Sequence, residues 1–486
     1  MVILLGDRAF KLKKPVDLGF LDFTTLEARR KVCHEEVRLN RRLAPDVYEG
    51  VADLVGPDGQ VCEHLVVMRR MPDECRLSAM VRAGEPVEAP LRQVARMVAS
   101  MHTRSPHTPR IDEQGSGKAL RSRWVASFNE VRALPDPVLG AGILGEIERL
   151  TLRFIDGREP LFAGRVADCR IVDGHGDLLA DDIFCLDSGP QILDCLEFDD
   201  RLRFLDGLDD AAFLAMDLER LEAPRLAELF LHYYAEFSGD PASPSLWHHY
   251  VAYRAFVRTK VACLRHGQGE FGCAREAHRL AELTLHHLQA GAITLVLVGG
   301  TPATGKSTLG AAIADRLGYT LLRSDRVRKE LAGIPPRQPA PAPFGEGIYC
   351  ADLTERTYAE LLSRAERLLG HGEPVIIDAS WTDAAHRAAA EQLARRTSSD
   401  LIALRCSAPP SVIAERLARR TSGVSISDAD QAVAAVMTAK AAPWPDATRV
   451  DTGASPEGAL EQALAVIHAR HAGTARRFRR PRMEPG

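Results

Sequence analysis

The stretch 295–309, LVLVGGTPATGKSTL, constrains the fold of this chain more than any other. Ile293, Leu295, Val296, Leu297 and Val298 belong to a run of β-branched and aliphatic residues, which predicts a strand buried on both faces. The run breaks at Gly299 and Gly300. From Gly300 to Ser307 the chain reads GTPATGKS and matches G-x-x-x-x-G-K-[ST] at every fixed position. An apolar period at Leu309, Ala312, Ile313 and Leu317 then predicts a helix. Strand, glycine-rich turn and helix N-terminus together make an anion site, because unpaired backbone amides and the helix dipole both favour negative charge. Gly300, Thr301, Pro302, Ala303, Thr304 and Gly305 would wrap the phosphates, with Thr308 at the start of the helix. Lys306 would reach the β- and γ-phosphates, and Ser307 would offer its hydroxyl to Mg²⁺. ATP with Mg²⁺ is the expected ligand.

With 486 residues the chain has room for two to four domains, each with its own core. A hydrophobic share of 45% and a charged share of 26% predict an ordinary folded protein, and a formal charge of −4 gives no global attraction to nucleic acid or anionic lipid. The ten cysteines are dispersed with no C-x-x-C pair, which argues against a zinc site or a disulfide scaffold. The start, MVILLGDRAFKLKK, is too short an apolar run for a signal peptide, and no segment is apolar enough to span a bilayer. A cytoplasmic protein with no membrane partner is expected.

In chain order, residues 1–16 predict a β-hairpin turning at Gly6-Asp7 and continuing as AFKLK. A helix over 25–43 follows, capped by Thr24 or Thr25 and carrying Glu35 and Glu36. Residues 61–70 predict a strand and MPDECRL a connector. Helices are expected over 91–101, 124–131 and 144–161, and again through 205–290. His248, His249, His286 and His287 fall beside apolar residues without an acid or cysteine at ligand spacing, so packing is their expected role. Between these helices, residues 171–199 read IVDGHGDLLADDIFCLDSGPQILDCLEFD. Two short strands there deliver acids to one end of a hairpin, a pattern suited to a divalent metal or to proton transfer.

His175-Gly176-Asp177, with Asp182 five residues on and Ile192-Leu193-Asp194 after the hairpin, resembles the catalytic loop and metal-binding strand of aminoglycoside-phosphotransferase-like kinases. The resemblance covers residues 1–290 and implies an α+β, protein-kinase-like domain. It implies Asp177 as the base that takes the acceptor proton and Asp182 and Asp194 as metal ligands. It also implies that Lys11, before Lys13, pairs with the phosphates and with Glu36 or Glu35. Asp182 stands where that family usually has asparagine. Too few residues precede the hairpin for the family's first strand and phosphate-covering loop, so a truncated small lobe is expected.

Beyond the phosphate-loop helix, the strand 319–322 ends in Arg323-Ser324-Asp325. Asp325 would orient or deprotonate an acceptor hydroxyl at a strand's C-terminal end, where open parallel sheets bind ligands, and Arg328 one turn later would hold an anionic part of it. Residues 334–344, IPPRQPAPAPF, predict an extended loop. The strand 375–377 ends in Asp378, placed to stand near Mg²⁺. After a strand at 401–406, the helix 410–420 carries Arg416 and Arg420 at i, i+4, suited to a lid over a transferring phosphate. A last strand at 449–452 and a helix at 456–470 precede a basic tail, 471–486, expected to be disordered. Residues 293–470 resemble the small P-loop kinases of the zeta-toxin, gluconate-kinase and 5′-polynucleotide-kinase type, which implies an α/β P-loop NTPase domain with a parallel sheet. The whole resembles bacterial proteins that fuse an aminoglycoside-phosphotransferase-like domain to a P-loop ATPase/kinase domain. The leading expectation is ATP-dependent phosphoryl transfer to a small hydroxylated acceptor at the C-terminal site, with the N-terminal domain binding substrate or acting as a second kinase. Kinase action on a nucleic-acid 5′-hydroxyl is less favoured, because no basic-aromatic interleaving accompanies it. A nucleotide-gated regulatory protein is the third reading.

Overall fold

The computed structural model describes residues 1–16, 22–336, 338–340, 343, 345–420 and 431–472. Two compact units emerge. The first comprises Met1–Gly140, Phe162–Ala242 and Leu246–His287; the second comprises Ala141–Leu161, Ser243–Ser245 and the described chain from Leu288 onward.

The first unit opens with a hairpin of β1 (Val2–Leu5) and β2 (Arg8–Leu12). Helix α1 (Leu26–Asn40) follows, its N-terminus capped by Thr25, whose side chain accepts from the Ala28 amide. Strands β3 (Tyr48–Val55) and β4 (Val61–Arg69) complete a four-stranded antiparallel sheet in the order β1-β2-β4-β3. The apolar stripe of α1 packs on this sheet, with Cys33 and Val37 against Val47, Tyr48 and Val66. Helix α2 (Gly117–Arg132) leads into the helical part of the unit. Strand β5 (Ile171–Asp173) and, beyond the hairpin of β6 (Ile183–Leu186) and β7 (Gly189–Ile192), strand β8 (Phe204–Asp206) pair antiparallel. These four short strands fix the two ends of the acid-bearing loops. Helices α3 (Gly207–Arg220) and α4 (Pro244–Gly267) follow.

The second unit is built on β9 (Thr294–Gly299), buried at every residue. With β10 (Thr320–Arg323), β11 (Val375–Asp378), β12 (Asp400–Ser407) and β13 (Thr448–Asp451) it forms an all-parallel sheet in the order β10-β11-β9-β12-β13. Parallel strands need crossovers, and helices supply them: α5 (Lys306–Leu317), α6 (Ser324–Leu331), α7 (Ala351–Gly370), α8 (Ala384–Arg396) and α9 (Pro410–Arg420). Helix α10 (Pro456–Ala472) and α5 bury Ala459, Ala463, Ile467, Leu309 and Ile313 against Val296, Val298 and Leu404.

Four local differences from the sequence reading stand out. Strand β3 was not expected, nor was the helix Leu77–Ala83, closed by Gly84, which begins at the last residue of the expected connector. The helix expected over 144–161 ends at Asp156; a second begins at Glu159, because Pro160 is tolerated in a first turn and not in a helix interior. The segment 141–161, assigned from sequence to the N-terminal half, belongs to the second unit. There Arg153 pairs with Asp400 at 2.8 Å, and buried Arg158 donates to the Gly157 and Thr397 carbonyls, both at 2.6 Å. The described residues of the proline-rich 334–344 carry no helix or strand. The tail 473–486 and the segment after α9, 421–430, lie outside the described residues. Among the described residues no helix is long and apolar enough to cross a membrane.

Candidate active sites

In the first unit the strand lysine and helix glutamate meet as expected. Lys11, on β2, lies 2.9 Å from Glu36 of α1 and also donates to Asp194. Glu36 is fully buried, and its second oxygen lies 2.6 Å from Lys13, which in turn donates to Glu197. One buried carboxylate thus bridges two ammonium groups, each of which has a second acid, so each charge has a partner in a place where an unpaired charge would be costly. Glu35, the alternative partner, is turned away to Arg38 at 2.8 Å. Burial opposes the charge on Lys11, but Glu36 and Asp194 more than offset it and hold its ammonium well above the ordinary lysine range.

The three aspartates differ in their electrostatics. Burial pushes Asp177 up to about 6, a value that leaves it able to hold or release a proton near neutrality. Burial and the neighbouring Asp194 and Asp177 push Asp182 up to about 8. Burial would raise Asp194 too, but Lys11 outweighs it and keeps Asp194 below the usual range. Neighbouring carboxylates that repel one another are a donor set a divalent cation would relieve, and partly buried Asp182 and half-exposed Asp194 fit that role chemically. Asp194 takes a left-handed conformation (φ 64°), which aspartate tolerates better than most residues, and its amide donates to the Tyr48 hydroxyl at 3.2 Å.

Sequence reasoning missed the group that holds this loop. Asp210 of α3, fully buried, accepts from the amides of His175 (2.7 Å) and Gly176 (2.8 Å) and bonds His102 Nε2 at 2.9 Å. Despite burial, these donors hold its carboxyl far below the usual range. His175 in turn contacts the Leu193 carbonyl through Nε2 at 3.0 Å, tying the loop before Asp177 to the strand end before Asp194. Nothing in the local sequence distinguishes Asp210 from Asp209 beside it.

In the second unit β9 runs into the loop 300–305. Gly305 caps α5 with φ 89°, a backbone shape that favours glycine, and Lys306 and Ser307 begin the helix. The loop is held from beneath: Thr304 Oγ1 donates to the Thr301 carbonyl at 2.8 Å, and Thr452 Oγ1, just past β13, donates to the Thr304 carbonyl at 2.5 Å. Strands β10 and β11 are adjacent with Arg323 opposite Asp378, so Asp325 and Asp378 emerge at neighbouring C-terminal strand ends. Asp378 is buried, and Ser307, Lys306 and Asp325 stand close enough to act on its charge. Burial raises its pKa, countered by Lys306. Its Oδ1 is buried with no hydrogen-bond partner, an acceptor that a hydrated divalent cation would satisfy.

The arginines are placed differently from expectation. Arg416 of α9 donates to the Thr452 carbonyl at 2.7 Å and to the loop carbonyl of Ala303 at 3.4 Å, so it braces the phosphate loop. Arg328, expected to meet an anionic acceptor, donates to the Ile348 carbonyl (3.0 Å) and the Thr354 hydroxyl (2.9 Å) and stacks over Tyr349; its Nε is buried without a partner. The Arg420 side chain and the segment that would complete a lid lie outside the described residues.

Residues 295–444 match the family model described as "AAA domain". The uncharacterized protein Rv2004c of Mycobacterium tuberculosis is 44% identical over 466 residues, covering 96% of this chain and 93% of its own length. Among solved structures, a gluconokinase from Sinorhizobium meliloti 1021 is 21% identical, covering 39% of this chain and 98% of its own, with a TM-score of 0.28. The GDP complex of aminoglycoside 2′-phosphotransferase-IIIa is 16% identical, covering 58% and 88%, with a TM-score of 0.37.

Proposed function

This chain belongs to the family of the Mycobacterium tuberculosis protein Rv2004c, and from that premise we propose that its second unit transfers the γ-phosphoryl group of ATP to a hydroxyl of a small-molecule acceptor. The observation that carries this reading is the convergence of Lys306, Ser307, Asp325 and Asp378 at the C-terminal edge of a parallel sheet, beside a loop that matches the phosphate-binding pattern throughout. The loop amides and Lys306 spread the charge of the β- and γ-phosphates, an arrangement already in place before reaction. Ser307 and Asp378 would hold Mg²⁺, which when bound neutralises the phosphate oxygens. Asp325 orients the acceptor and takes its hydroxyl proton as the acceptor oxygen bonds to the γ-phosphorus and the bond to the bridging oxygen of ADP breaks. Arg416 keeps the loop in register from its carbonyl side.

A second reading, favoured by the assembled Lys11–Glu36 pair, makes the first unit another phosphoryl-transfer site, with Asp177 as base and Asp182 and Asp194 toward the metal. The experiment that separates them incubates the chain with ATP and a metabolite extract and detects phosphorylated products by mass spectrometry. Lys306→Ala is expected to remove at least 99% of product, in keeping with the factor of about 10² or more lost with one key charge-stabilising group. Product that survives Lys306→Ala but disappears in Asp177→Ala would overturn the first reading in favour of the second.

A further inference from the structure

Beside Asp177 the first unit encloses a cavity of about 560 Å³. Two helices give it one wall each. Arg123, Ser127 and Glu130 recur at the i, i+4, i+7 spacing on α2, and Arg254, Arg258 and Val261 recur along α4. Lys11, Asp177 and Asp194 also line it, so the cavity includes the assembled acids and lysine. Between them lie apolar surfaces from Leu196, Phe198, Val257 and Leu264, and the exposed wall is more apolar than polar.

Most of the charges that line it are taken up in ion pairs, though among the described residues Asp177 is not. Lys260 pairs with Glu130 at 3.0 Å, Arg254 with Asp209 at 2.7 Å and Arg201 with Asp199 at 2.9 Å. Lys11 is taken by Glu36 and Asp194, and Glu197 by Lys13. Two cations remain. Arg258, one turn beyond Arg254, makes no ion pair or hydrogen bond among the described residues, and its charge acts on Asp177 across the cavity. Arg123 donates to the Gln114 carbonyl at 3.1 Å, its Nε is buried without a partner, and its charge acts on Asp209 after that of Arg254. Two guanidinium groups with no ion-pair contact among the described residues, on two helices that line an apolar space, are suited to receive an anion attached to an apolar body.

We propose that this cavity binds a hydroxylated compound with an apolar body and one anionic group, a carboxylate or a phosphate, received by Arg258 and Arg123 while its hydroxyl lies at Asp177. The placement of the hydroxyl rests on the second reading above; the placement of the anion does not. A cationic compound is disfavoured at the same place, because it would meet both unpaired arginines.

Isothermal titration on the full chain carrying Lys306→Ala, which removes phosphate binding at the loop of the second unit, tests this with four matched probes: 8-hydroxyoctanoate, 8-hydroxyoctyl phosphate, 1,8-octanediol and 8-amino-1-octanol. At least one of the two anions is expected to bind ten-fold or more tighter than the diol and the amine, and the stronger anion identifies the preferred group. Arg258→Met is expected to weaken that anion at least ten-fold and to leave the diol unchanged, while Arg258→Lys, which keeps the charge, retains most of the affinity. Equal affinity for the diol or the amine would overturn the proposal, as would anion binding indifferent to both Arg258→Met and Arg123→Met. Loss of ATP-dependent labelling in Asp177→Asn reads the catalytic reading separately, since that variant keeps both arginines.

Discussion

His249 lies fully inside a ring of aromatic side chains, 5.9 Å from Trp124 and 6.1 Å from Tyr250 between ring centres. Burial alone drives its pKa down to about 3, and burial with the neighbouring His287 takes His248 down to about 4. The folded chain therefore refuses protons that the unfolded chain accepts near the ordinary histidine value of 6.5. Stability is full above that value and falls as pH drops through the window between 6.5 and about 3. Each such group costs about 1.4 kcal/mol per pH unit inside its window. Urea unfolding at pH 7.5, 6 and 5 is expected to show His249→Phe with a pH slope shallower than the wild type by about that amount; equal slopes would contradict it. Residue-scale chemistry was readable in the sequence where a motif fixes spacing, as at Lys306, Ser307 and Asp378, whose convergence follows from strand, loop and strand in parallel. It was not readable at Lys13 or Asp210, because their partners Glu197 and the His175 amide are 184 and 35 positions away and no local period marks them.

At the scale of elements, the legible pieces were those with one strong period. The buried strand β9 and the amphipathic helices declare themselves through continuous or 3.6-residue apolar spacing. Strand β3 did not: YEGVADLV carries a glycine and an aspartate, sits at the sheet edge with register shifts at Tyr48/Gly50 and Leu54/Val55, and leaves its last three residues exposed. The break between the helices Ala141–Asp156 and Glu159–Ala167 contains a close contact that can be tested. Gly157 presses against α8's end, and a Cβ there would fall 2.3 Å from the Thr397 carbonyl oxygen, backbone that has no rotamer with which to yield. Gly157→Ala is expected to destabilise the second unit by about 1–3 kcal/mol, the usual cost of forcing an atom into a packed site. Gly164→Ala, where a Cβ meets nothing within 4 Å, serves as the control and should be neutral or slightly stabilising in thermal melts.

For the molecule as a whole, the sequence divides the chain at the start of the phosphate-loop strand, whereas the second unit also recruits Ala141–Leu161 and Ser243–Ser245. Sequence could not disclose this, since a helix's apolar face does not say which core it joins. The Arg153–Asp400 pair, the Arg158 bonds and the Ser245 hydroxyl donating to the Gly372 carbonyl at 2.7 Å all belong to the second unit and all use residues upstream of 293. A fragment of residues 293–486 is expected to melt at least several degrees below the second transition of the full chain, because it loses buried partners worth about 1–3 kcal/mol each. Equal melting temperatures would show that the upstream segments add nothing to that unit.

The same discontinuity sets a timetable for synthesis. On the ribosome the amphipathic segment 141–161 emerges roughly 240 residues before Asp400, its partner. At about 5–20 residues per second that is an interval of roughly 10–50 s in which Arg153 and Arg158 lack their partners at Asp400 and Thr397. All residues of the first unit are out once residue 287 is, so this chain completes last the unit to which part of its middle belongs, when the phosphate-binding sheet arrives.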